Sequence, residues 1–131
     1  MPSLGIIHFP KDTPMLVTFG FTPVRAFWEL VVIREGNEKC LEKRVDFGNT
    51  VDRPPKLQAT LSEVDLPEGT SHAILLWAIK LYAPPAENLD YKINVKCETE
   101  GQALHPPVEY RDSLKGGTIL TIRDFFTLKL L

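Results

Sequence analysis

Residues 70–82 read TSHAILLWAIKLY, and whether they form a strand or a helix decides the fold class. Thr70 or Ser71 is a possible N-cap and Pro84 a possible stop, so a short buried helix fits the composition. A continuous apolar run has no period that separates the two. The next segment has one. In DYKINVKCET, residues 90–99, Tyr91, Ile93, Val95 and Cys97 alternate with Lys92, Asn94, Lys96 and Glu98, the period of a half-buried strand. The run at 72–82 is therefore expected as a strand, joined to 90–99 by a hairpin through the APPAENL loop.

The same reading extends along the chain. LGIIHF (4–9), MLVTFGF (15–21), AFWELVVIRE (26–35), KCLEKRVDF (39–47), KLQATLSEV (56–64) and GTILTIRDFFTLKL (117–130) are further β-rich runs. Six of the eleven prolines form the pairs 54–55, 84–85 and 106–107, each expected in a loop because proline removes a ladder donor. EGN at 35–37 is expected as a tight turn pairing the third and fourth runs. The architecture implied is all-β, one domain over 1–131: an antiparallel β-sandwich of about eight strands, immunoglobulin-like or jelly-roll-like. A closed β-barrel is the alternative, but the Pro-Pro loops and the long segment 100–116 suggest crossovers between sheets instead of short hairpins.

At 131 residues the chain can bury enough surface for a self-sufficient core. Fifteen basic against 17 acidic residues give a formal net charge of -2, and the basic residues are scattered. That pattern offers no footprint for a phosphate backbone, so no nucleic-acid partner is expected. No apolar run is long enough to span a bilayer, and MPSLGIIHFPKD lacks the pattern of a secretory signal; a cytoplasmic location is the expectation.

The residues that carry chemistry do not assemble into a motif. Alternation places Cys97 inward and Cys40 on the outer face, so two thiols are expected, one buried and one exposed, and no disulfide. His8, His72 and His105 are far apart without metal-ligand spacing and are expected to be solvated or simply hydrogen-bonded. Ser71 and His72 are expected on opposite faces of a strand, which excludes a dyad. DFGN (46–49) is expected as a turn, KGG (115–117) opens a strand and not a helix, and Asp46, Asp52 and Asp90 fall in separate loops. Glu98 and Glu100 end a strand, where solvated acids are common. No catalytic residue, cofactor or metal is expected.

FWELVVI, residues 27–33, raises the functional question. If Trp28, Leu30 and Val32 enter the core, then Phe27, Glu29, Val31 and Ile33 form the other face, three of the four being large and apolar. The run at 72–82 is two-sided as well, and Ile119 and Phe125 look outward from the last strand. A face of that kind needs a cover: a loop such as 100–116, a ligand, or a second protein chain. The expected interface set is Phe27, Glu29, Val31, Ile33, Ile119 and Phe125, with a basic or backbone donor beside Glu29. The function expected is a non-catalytic module that binds itself or another protein. The alternative is a binder of a small ligand or carbohydrate, with Trp28, Trp77, Tyr82, Tyr91 and Tyr110 as stacking surfaces.

Overall fold

The computed structural model describes residues 3–9, 13–22, 25–46, 56–60, 69–85 and 88–130, with the backbone alone at 21–22, 25–26 and 56–60. Phe47, Pro54, Pro55 and residues 61–64 of the expected fifth strand lie outside them.

Among the described residues ten strands follow one another: β1 (Ile6–Phe9), β2 (Pro14–Thr22), β3 (Arg25–Glu35), β4 (Glu38–Asp46), β5 (Lys56–Thr60), β6 (His72–Tyr82), β7 (Leu89–Thr99), β8 (Gln102–Ala103), β9 (Val108–Leu114) and β10 (Ile119–Leu130). Residues 72–82 are a strand, as their neighbours imply. Two sheets form, β1-β10-β6-β3-β4 and β5-β2-β7, the second completed by β8 and β9 side by side along β7. The fold is a β-sandwich and not a closed barrel. Among the described residues every pairing is antiparallel except β1 with β10, which is parallel.

Two expectations are corrected. β6 and β7 do not form a hairpin: β6 lies between β10 and β3, while β7 pairs with β2, so APPAENL carries the chain from one sheet to the other. Prolines at 84 and 85 suit that role, because the chain leaves one ladder before joining another. Residues 100–116 are not a cover over the sheet; they contain β8 and β9, which extend the second sheet. His105 within that segment is half-buried, its ring 5.0 Å from that of Phe126 and pressed against Gly5, where a β-carbon would stand 2.4 Å from the imidazole.

The core lies between the sheets. Trp77, at the middle of β6, meets Phe19 of β2 edge-on at 5.8 Å and Tyr110 of β9 at 5.6 Å, so one indole ties three strands together. Ala73, Leu75, Ile79 and Leu81 flank it on β6, and Tyr91, Ile93, Val95 and Cys97 face it from β7 as their alternation requires. β10 adds Phe126, Leu128 and Leu130.

The β3–β4 hairpin turns at Gly36 and Asn37, with Gly36 in the left-handed region at φ 60°, which glycine adopts without a Cβ penalty. Glu35 pairs with Glu38 and Arg34 with Lys39, but Ile33 then pairs with Leu41. Cys40 is thus an extra residue on β4, a β-bulge. A second irregularity lies on the other side of β3: Ala26 pairs with Leu81 and Trp28 with Lys80, which leaves Phe27 as the extra residue there.

Candidate functional site

Because cross-strand partners share a face, these bulges settle where β3 points. Ile33 shares the inner face with Leu41 and Leu75, Val31 with Trp77, and Glu29 with Val45 and Ile79. Val31 and Ile33 belong to the buried core cluster, and Glu29 is 0% exposed. The expectation for Glu29, Val31 and Ile33 is therefore overturned: they look into the sandwich, while Trp28, Leu30 and Val32 look out. A regular hairpin would have set Ile33 opposite Cys40; the added residue moves it opposite Leu41 and reverses the face. Cys40 is correspondingly half-buried against the core instead of fully exposed.

The remaining interface residues stay outside. Phe27 is half-buried, its ring 5.3 Å from that of Tyr82 and 5.8 Å from the ammonium of Lys80. Ile119 is 53% exposed beside Tyr82, and half-buried Phe125 pairs with Leu76. Around them the register assembles one apolar field. Phe125, Leu76 and Val32 form a row ending at Glu42; Arg123, Ala78 and Leu30 form the next, ending at Arg44; Thr121, Lys80 and Trp28 form a third, ending at Asp46. Ile74 and exposed Ile6 extend the field at one end. Arg44 lies 5.1 Å over the Trp28 ring and pairs with Asp46, while Lys39 pairs with Glu42. Sequence reasoning missed Trp28, Leu30 and Val32, and only a bulge at Cys40 could have signalled them.

Glu29 lacks the donor expected beside it. Among the described residues neither carboxyl oxygen has a hydrogen-bond partner, and Lys43, diagonal to it on the same face, does not supply one. Burial pushes the Glu29 carboxyl up to about 9, so it is protonated at neutral pH. The inner layer holds a second polar group: the Tyr110 hydroxyl donates to Asp124 Oδ2 at 2.9 Å, joining β9 to β10 across the sandwich.

Elsewhere the chemistry is sparse. Ser71 and His72 are hydrogen-bonded at 2.9 Å, contrary to expectation, because Ser71 precedes β6 and its side chain is free of strand alternation. Both are exposed, and His72 stands opposite Lys129 in register. Among the described residues, no three His, Cys, Asp or Glu side chains are grouped to hold a metal ion, and no helix is long and apolar enough to cross a membrane. Two depressions, of about 420 Å³ beside Asp90, Lys92, Arg111 and Ser113 and about 210 Å³ beside Lys96, Glu98 and His105, lie on the second sheet. Polar side chains dominate the first, and within it Ser113 is already bonded to Asp90 at 2.5 Å.

The thiols give a direct check on the packing. Cys97 is buried and its thiol is pushed up to about 12, by burial first and by Glu98 second. A thiolate-directed reagent at pH 8 should titrate Cys40 alone in the native protein and both cysteines after unfolding. Two equivalents in the native protein, or none in the denatured protein before reduction, would refute this arrangement.

Comparison with protein families, curated proteins and solved structures finds no match.

Proposed function

We propose that the chain is a non-catalytic self-assembly module whose five-stranded sheet meets the same face of a second copy. The observation that carries this is the outer field of half-buried Trp28, Leu30, Ile74, Leu76 and Phe125 around the buried Val32 and Ala78, an apolar centre within a rim of Arg123, Lys80, Glu42, Arg44 and Asp46. That is the anatomy of a protein interface.

Size supports a second copy as the occupant. The strands β10, β6, β3 and β4, about 4.8 Å apart and presenting about nine residues each at about 3.4 Å, offer about 600 Å² per copy. Two copies together bury about 1,200 Å², within the range of specific complexes. The outer face carries charges of both signs, Arg123 and Lys129 on β10 and Glu42, Arg44 and Asp46 on β4.

Sedimentation tests the reading. The wild type should sediment as a dimer, and Leu76→Lys should halve the mass with little change in melting, because Leu76 points away from the core. A monomeric wild type would sink the proposal. So would a Leu76→Lys protein that melts much lower without changing mass, since that result places the cover within the chain.

A further inference from the structure

Among the described residues two buried polar groups inside the sandwich lack partners, and they are neighbours. Glu29 pairs with Ile79 and Val31 with Trp77, so Glu29 and Trp77 are diagonal residues on the inner faces of β3 and β6. Both carboxyl oxygens of Glu29 and the indole Nε1 of Trp77 are buried without a hydrogen bond. Orphaned groups of this kind are uncommon in native proteins, and two on adjacent strands call for a shared partner. Diagonal Cβ atoms are separated by about 7 Å, close enough for a long acid and an indole to bond a common small molecule between their tips.

We propose that one water molecule is built into the layer between the sheets, held by Glu29 and Trp77. Its oxygen accepts the indole N–H and the carboxyl O–H, and it donates one hydrogen back to the carboxyl C=O. All three orphaned atoms are thereby satisfied with three hydrogen bonds, the usual number for a buried water. The protonated state that burial imposes on Glu29 supplies the O–H.

Val31, Ile79, Val17 and Phe19 belong to the same packed core, and Asp124, the register partner of Trp77, already accepts the Tyr110 hydroxyl. Water satisfies both groups, since it accepts and donates at once.

A crystal structure of the wild type at high resolution should show a solvent peak within about 3.2 Å of both Trp77 Nε1 and a Glu29 carboxyl oxygen. In solution, the Trp77 indole proton should give a cross-peak to water, assigned against Trp28 with the Trp28→Phe variant. Glu29→Gln should keep the cross-peak, because an amide also donates and accepts. Glu29→Met should lose it, because a water with one remaining partner is expelled. A dry wild-type site, a direct bond from the indole N–H to Glu29, or a cross-peak that persists in Glu29→Met overturns the proposal.

Discussion

At pH 7.5 the Glu29→Met variant should melt about 10 °C above the wild type, and the gap should close as the pH falls toward 4.5. The cause is the buried carboxyl, whose folded value of about 9 stands far above the ordinary 4.5. Between those values the folded chain keeps a proton that the unfolded chain releases, so rising pH favours unfolding. The contribution is intact below pH 4.5 and is lost as the pH climbs through 9. Each pH unit in that window costs about 1.4 kcal/mol, which accumulates to about 4 kcal/mol by pH 7.5. Methionine has similar length and no proton to lose, so its stability should lack this slope. Thermal melts of both proteins from pH 4 to 9 decide the matter. Parallel curves would mean that Glu29 ionises freely in the fold and is not sealed between the sheets.

Val31→Lys should abolish cooperative folding, whereas Trp28→Ala should leave the domain folded at a cost of about 1 kcal/mol. Val31 is enclosed beside Trp77, so a lysine there must bury an ammonium, and with it the ionised form of its neighbour Glu29, or force the sheets apart. Such a group costs several kcal/mol, comparable with the whole stability of an ordinary domain. Trp28 is half-buried on the outer face under Arg44, and its loss removes contact area without opening a cavity in the core. Circular dichroism and melting of the two variants give the comparison. The reverse outcome, a folded Val31→Lys and an unfolded Trp28→Ala, would invert the assignment of β3.

Tyr91, Ile93, Val95 and Cys97 were legible because β7 alternates cleanly: one of its faces is apolar and the other polar, so period and burial agree. β6 was legible as a strand only through its neighbours. Its two apolar faces follow from its central place between β10 and β3, with Ala73, Leu75 and Trp77 inward and Ile74 and Leu76 outward. β9 escaped notice because an edge strand carries little signal: in VEYRDSL only Leu114 is fully buried, and Glu109, Arg111 and Asp112 break up the apolar positions. β8, with two residues, has no pattern to read.

Composition and alternation alone determined that this chain is an all-β sandwich, that Cys97 is internal, and that at least one sheet has two apolar faces. Tertiary structure decided which face of β3 is which. Trp28, Leu30 and Val32 are as hydrophobic as Val31 and Ile33, so burial energy does not distinguish the two registers, and Glu29 argues for the wrong one. One extra residue at Cys40 and another at Phe27 set the parity, and the neighbours β4 and β6 then enforce it through Leu41, Val45, Trp77 and Ile79. A bulge carries no period of its own. Its cost is local and its consequence is global, because each added residue turns the rest of the strand over, and only the ladder of hydrogen bonds on both sides shows where that residue lies.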